Sequence, residues 1–386
     1  MINFEFAAPS RIIFGPGAIN QAPLLAQHLG KSAFLLVGRN YGRADFFLKQ
    51  LHANNIAVSI FQIPREPTTD NVLHGANAAR QTKSDFVISF GGGSVMDTGK
   101  AVAALMTNPG NLFDYLEVIG RGNQITHPPA PHMAIPTTAG TGAEVTRNAV
   151  IFSPEHQVKV SMRSRLMLPT IAIIDPDLTL SMPPHLTAYT GLDAVTQLIE
   201  AFVSNAANPI TDVLCREGLK RAARSLVRVF HDGQNREGRE NMALASLFGG
   251  LVLANAKLGA VHGFAAPLGG MFSAPHGAVC GCLLPHVMEA NIHALLSRAP
   301  RSSALLRYGE VAQIFTQNLS ATPLDGVKFL KDLCSALKIP RITELGVLPA
   351  SFSDVVGKTQ TTSSTKGNPI ELRPEELFSI LKCASA

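Results

Sequence analysis

The chain has little charge, few cysteines and no long apolar run. Charged side chains make up 16% of its 386 residues against 46% hydrophobic, which excludes a disordered, self-repelling polypeptide. The net charge of +5 and the pI near 9.0 are modest. Part of the excess falls on one expected helix, where Lys220, Arg224 and Arg228 recur every four residues. Such a stripe is a solvated face, and nucleic-acid binding is not expected. The five cysteines, Cys215, Cys280, Cys282, Cys334 and Cys383, are odd in number and lack zinc-ribbon spacing. Buried thiols in a reducing compartment are therefore expected. Cys280 and Cys282 would share one side of a strand but point to nearly opposite sides of a helix. The first residues, MINFEFAAPSR, lack the pattern of a signal peptide, and the most apolar run, Met242 to Ala254, is too short to cross a bilayer. A cytoplasmic protein without membrane association is the expectation. Internal repeats and low-complexity segments are absent.

The length favours two domains. In the first half, short β-branched or aromatic runs alternate with helical stretches. Strands are expected at Ala33–Val37, Ala57–Phe61, Phe86–Phe90, His132–Ile135, Asn148–Phe152, Gln157–Ser161 and Ile171–Ile174, with a helix from Asn71 capped by Asp70. This rhythm argues for a mostly parallel sheet covered by helices. The pattern changes at Pro183-Pro184. Beyond it, helices are expected over Leu186–Ser204, Pro209–Val229, Glu240–Ala256 and Leu283–Ala294, with almost no strand signal. The expected architecture is an α/β dinucleotide-binding domain over residues 1–180 and an all-α metal-binding domain over residues 181–386.

Two loops at strand ends suggest a nucleotide. Gly91-Gly92-Gly93-Ser94 lies between a buried strand and a helix, where glycines allow close backbone approach and the helix start favours an anion. Met96 replaces the third glycine of the usual dinucleotide fingerprint, and an ordinary strand-to-helix turn would carry the same glycines. The second loop, PTTAGTGAE over residues 136–144, offers the hydroxyls of Thr137, Thr138 and Thr141 for ribose and amide groups. Ligands of open α/β sheets bind in the crevice where such loops lie.

In the second half, Asp193 and Gln197 stand four residues apart, on one helical face, and His262 and His276 follow. A histidine taken alone serves as well for a core residue as for a ligand. Together, a carboxylate, a carboxamide and two imidazoles suggest a metal that polarises an alcohol or carbonyl for hydride transfer.

Six segments, GGGSVMDTGKA (91–101), PTTAGTGAEVT (136–146), MPPHLTAYTGLDA (182–194), VHGFAAPLGG (261–270), APHGAVCG (274–281) and KGNP (366–369), resemble the iron-containing (group III) alcohol dehydrogenase family. In motif order they are similar to the bacterial lactaldehyde (propanediol) oxidoreductases within it. The resemblance runs from Arg11 to the last helix. It implies a dehydroquinate synthase-like fold, with Gly92, Gly93, Ser94 and Asp97 at the pyrophosphate and Thr137, Thr138, Thr141 and Lys159 at the nicotinamide and ribose. It implies NAD or NADP, iron or zinc held by Asp193, Gln197, His262 and His276, and a homodimer or larger homo-oligomer, with a strand at Ile2–Phe6 as a dimer element. Asp193, His262 and His276 would be the catalytic residues. The implied reaction interconverts a small alcohol and its aldehyde or ketone.

The chain departs from the family pattern at three places. Gln197 stands where the family has a histidine ligand, and a carboxamide oxygen is a harder, weaker donor than imidazole. Ala266 stands where the family often has a further histidine, which removes that proton route. Arg39 follows the first strand where NAD-using members often carry aspartate; it could bind a 2′-phosphate, while Glu66 pulls towards NAD. Three other functions fit the same framework: a reductase of acidic aldehydes or keto acids (maleylacetate or phosphonoacetaldehyde type) using Arg163 and Arg165, a dehydroquinate synthase-like lyase, and a nucleotide binder that has lost catalysis.

Overall fold

Each apolar run expected to be a strand forms one in the computed structural model, which describes residues 3–386. The strands are β1 (Arg11–Phe14), β2 (Ser32–Gly38), β3 (Ala57–Ile63), β4 (Phe86–Gly91), β5 (His132–Pro136), β6 (Asn148–Ser153), β7 (Val158–Arg163) and β8 (Ile171–Ile174). Six of them form one sheet in the order β1-β8-β5-β4-β2-β3, with every pairing parallel. The other two pair antiparallel as a separate hairpin, β6–β7. Residues 154–157 are too short a link for the crossover that parallel neighbours require.

The sheet belongs to a first compact unit, Ala7–Thr138 with Gly142–Thr179. Its helices are α1 (Ala22–Gln27), α2 (Asp45–Ala53), α3 (Thr69–Gln81), α4 (Gly93–Thr107) and α5 (Leu112–Tyr115). Side chains of β2 alternate between two cores: Ala33, Leu35 and Val37 join one, Phe34 and Leu36 the other. That is the period of a strand covered on both faces. Thr68, and not Asp70, caps α3: its side chain accepts from Asn71 N, and Asn71 returns the contact.

Buried charge in this unit makes its stability depend on pH. Glu144 is 3% exposed, and burial pushes its carboxyl up from 4.5 to about 7. The unfolded chain releases this proton first, so stability falls as pH rises from 4.5 to about 7, by on the order of 3 kcal/mol, and is level above. Burial pushes His132 the other way, to about 3, so its contribution is complete above 6.5 and is lost on acidification. Urea denaturation from pH 4 to 8 should show a flatter rising-pH loss in Glu144→Gln than in the wild type. Parallel profiles for the two proteins would contradict this assignment.

The second unit comprises Leu180–Ala386 together with residues 3–6 and Ala139–Thr141. Its helices are α6 (Pro184–Val203), α7 (Pro209–His231), α8 (Arg236–Asn255), α9 (Ala260–Phe272), α10 (His276–Arg298), α11 (Ser303–Thr316), α12 (Pro323–Ala336), α13 (Phe352–Thr361) and α14 (Pro374–Ser385), around one core. Helix α10 begins seven residues before the expected Leu283 because tertiary packing overrides the two glycines in its first turns. It is, among the described residues, the one unbroken helix long and apolar enough to cross a membrane, and 72% of that apolar window is buried within the fold. Lys220, Arg224 and Arg228 are exposed on α7, as the stripe suggested. Of the N-terminal strand expected at Ile2–Phe6, Ile2 lies outside the described residues and residues 3–6 form no strand.

Candidate active site

The nucleotide loops lie in the first unit. The chain runs from β2 to β3 on one side, then crosses back so that β4 and β5 extend the sheet on the other. This reversal opens a crevice at the carboxyl ends of β2 and β4, the usual place for a nucleotide. Arg39 follows β2 there and is exposed; its carbonyl accepts from Gln62 Nε2 at 2.8 Å. Gly92 is the N-cap of α4, and no side chain caps that helix, which leaves its start suited to an anion. Gly91 O accepts from Thr137 N at 2.8 Å, and a Cβ on Gly92 would sit 3.4 Å from Thr138 Oγ1. The glycine loop with Gly93 and Ser94 and the threonine loop with Thr137 and Thr138 are therefore neighbours.

The remaining cofactor candidates are differently placed. The Asp97 carboxylate contacts Lys100 Nζ at 2.9 Å and accepts from Val150 N at 3.1 Å, so it ties α4 to the β6–β7 hairpin. Lys100 is fully buried and also donates to Thr146 Oγ1 at 2.7 Å. Lys159 pairs with Glu66 at 2.5 Å, so two expected contacts of opposite sign neutralise each other. Thr141 belongs to the second unit, where its carbonyl accepts from Gln197 Nε2 at 3.2 Å. Arg163 faces Glu117 at 3.6 Å, which offsets its charge as an anion contact.

In the second unit, Asp193 and Gln197 lie on α6, His262 near the start of α9 and His276 at the first position of α10. Glycines bring these helices close. A Cβ on Gly277 would lie 2.3 Å from Tyr189 O, and one on Gly281 would lie 2.6 Å from Leu192 Cδ1, so α10 meets the α6 backbone at Gly277 and a side chain of α6 at Gly281. On another side of α6, a Cβ on Gly249 of α8 would lie 2.7 Å from Gln197 Oε1. The result is a cluster in which Asp193 Oδ1 is 3.3 Å from His262 Nε2 and 3.4 Å from His276 Nε2.

The donor set fits a cation. Asp193 Oδ1, Gln197 Oε1 and His262 Nε2 are all buried without a hydrogen-bond partner, and a native fold leaves few such atoms unexplained. Burial alone would raise the Asp193 carboxyl, but the facing imidazoles of His276 and His262 hold it well below the usual range. Burial would lower His262, and the carboxylates of Asp193 and Glu200 outweigh this and raise it to about 9. Among the described residues, one group of side chains could hold a metal: Asp193, His262, His276 and Cys280, with donor atoms all within 4.8 Å of one another.

Two residues of this cluster escaped the sequence reading. Glu200 Oε2 contacts His262 Nδ1 at 2.7 Å, while its Oε1 accepts from Val261 N at 2.7 Å. With Asn368 Oδ1, which accepts from Ala260 N at 3.1 Å, it caps α9. Asn368, from the KGNP segment, also exchanges hydrogen bonds with Asn291, so that motif is structural. The signal for Glu200 was present: it falls seven residues after Asp193, two helical turns on the same face. Cys280 is buried one turn after His276, a position visible only once the segment is known to be helical.

Residues 9–176 match the family described as iron-containing alcohol dehydrogenase, and residues 187–385 match the C-terminal part of the Fe-containing alcohol dehydrogenase family. Alcohol dehydrogenase 4 of Saccharomyces cerevisiae is 34% identical, covering 98% of both chains. 1,3-Propanediol dehydrogenase of Klebsiella pneumoniae is 33% identical, covering 99% of this chain and 98% of its own. The crystal structure of a 1,3-propanediol oxidoreductase superposes with a TM-score of 0.91 at 33% identity, covering 99% of this chain and 100% of its own. The chain belongs to the iron-containing alcohol dehydrogenase family.

Proposed function

We propose that Asp193, His262 and His276, with Gln197 beside them, hold a divalent metal, iron or zinc, and that Arg39, Glu66, Gly92, Gly93, Ser94, Asp97, Thr137, Thr138, Thr141 and Lys159 form the cofactor site. The protein is an NAD(P)-linked oxidoreductase that interconverts a small alcohol and its aldehyde or ketone. The observation carrying the metal assignment is the gathering of buried, unpartnered donor atoms around Asp193. Bound there, a divalent ion supplies Lewis acidity, which stabilises negative charge on the reacting oxygen.

The chain's own residues do the rest. Asp193 contributes the negative charge that selects a cation, and Glu200 fixes the ring of His262 so that Nε2 faces the centre. The start of α4 would receive the pyrophosphate, and Thr137 and Thr138 would fix the nicotinamide. A nicotinamide bound there would supply hydride acceptance and donation, and Ala266 carries no group that could take the alcohol proton, which would have to reach water or the cofactor ribose. Asp97 steadies α4 by holding Lys100 and the β6–β7 hairpin. A homo-oligomer in the cytoplasm is part of the same proposal and rests on family resemblance.

A panel of primary alcohols, small secondary alcohols and diols, assayed with NAD and with NADP before and after chelation, tests this reading. Turnover should disappear on chelation and return with iron or zinc. Turnover that survives complete metal removal would overturn the assignment.

A further inference from the structure

The metal centre has one donor that family resemblance did not supply, and one expected donor, Gln197, whose amide nitrogen is held by a backbone carbonyl. Gln197 gives its amide hydrogen to Thr141 O, and its carbonyl oxygen lies against Gly249 of α8. Cys280 lies one turn along α10 from His276, on the same face, and its Sγ is 3.7 Å from His276 Nε2. We propose that the Cys280 thiolate, in place of the Gln197 carboxamide, completes the metal donor set with Asp193, His262 and His276. This rests on the proposed metal site and deepens it.

Three lengths carry the inference. In a tetrahedral zinc site, bonds of about 2.0–2.2 Å to nitrogen or oxygen and about 2.3 Å to sulfur place neighbouring donors roughly 3.3–3.6 Å apart. The measured separations are 3.3 Å for His262 Nε2 to Asp193 Oδ1, 3.4 Å for His276 Nε2 to Asp193 Oδ1 and 3.7 Å for Cys280 Sγ to His276 Nε2. These three separations are close to the edges of such a site, and all four donor atoms lie within 4.8 Å of one another. The buried, unpartnered Asp193 Oδ1 and His262 Nε2 point independently to a cation there.

Charge supports the same choice. One carboxylate and one thiolate neutralise a divalent ion, whereas a carboxylate and a carboxamide leave a net positive charge inside a buried site. A thiolate also shifts preference towards softer metals, so the centre should favour zinc over iron. On metal binding the thiol proton passes to solvent, and the sulfur pair forms the new bond. Zinc can expand to five-coordinate geometry, which leaves a position for substrate.

Cobalt(II) substitution reads this directly in the full-length protein. The expected result is a thiolate-to-cobalt charge-transfer band in the near ultraviolet, present in the wild type and absent in Cys280→Ser. Zinc affinity, measured by competition with a chromophoric chelator, should fall roughly 10–100-fold in Cys280→Ser and less in Gln197→Ala. One equivalent of cobalt without that band would overturn the Cys280 assignment and leave the metal site standing. A greater loss of zinc affinity in Gln197→Ala than in Cys280→Ser would do the same. A wild-type protein that binds neither cobalt nor zinc would overturn both readings. The wild-type spectrum needs no variant, so a poorly folding substitution does not decide the outcome.

Discussion

Replacing Asp193 with alanine is expected to empty the centre of metal and lower kcat/KM for alcohol oxidation by about 10³-fold or more. Asp193 Oδ1 is the atom that both imidazoles face, at 3.3 and 3.4 Å, and its carboxylate is held ionised by them despite burial. Without it, the two Nε2 atoms lose the carboxylate they share, and the differential stabilisation of oxyanion character goes with the ion. Asp193→Asn separates charge from volume, since it keeps the shape and removes the charge. It should resemble alanine in metal content and activity. Elemental analysis and steady-state kinetics on both variants check this, with thermal unfolding run alongside to exclude loss of fold. Wild-type metal content together with wild-type turnover in Asp193→Asn would end the case for this centre.

The second large effect concerns Glu200, which acts through His262. Its carboxylate binds His262 Nδ1 with one oxygen and the Val261 amide with the other, so one side chain sets both the ring orientation and the start of α9. Glu200→Gln keeps a carbonyl oxygen for Val261 N while removing the negative charge that raises the basicity of the ring. Metal affinity should fall about 10–100-fold with little change in stability. Glu200→Ala removes both functions and should cost a further 1–2 kcal/mol or so, the usual value of a lost helix cap. Metal titration and urea denaturation of the pair resolve the two roles. Equal metal affinity in wild type and Glu200→Gln would show that Glu200 only caps the helix.

Much of this site was readable before folding because helical and strand periodicities are local. Asp193 and Gln197 at a four-residue spacing announce a shared face, and Phe86–Phe90 followed by glycines announces a strand entering a helix start. Other features are not local. Nothing near Asp97 says that its carboxylate will serve Lys100 and Val150 N, since Val150 lies 53 residues away. The pairing of Glu66 with Lys159 likewise joins the segment after β3 to the β6–β7 hairpin. Pattern reading also favoured the apolar half of α10 over its start, because Gly277 and Gly281 weaken helix propensity there.

By itself, the order of residues determined the alternation of strands and helices, the two loops at strand ends, the family, and which side chains could bind an ion. Those depend on periodicity, turn chemistry and motif spacing within short windows. Only the tertiary structure decided that β6 and β7 form their own hairpin, that Glu200 braces His262, and that Cys280 lies beside His276 while the Gln197 amide nitrogen donates to Thr141 O. The physical reason is close packing: three helices separated along the chain meet where glycines remove the Cβ atoms that would hold them apart.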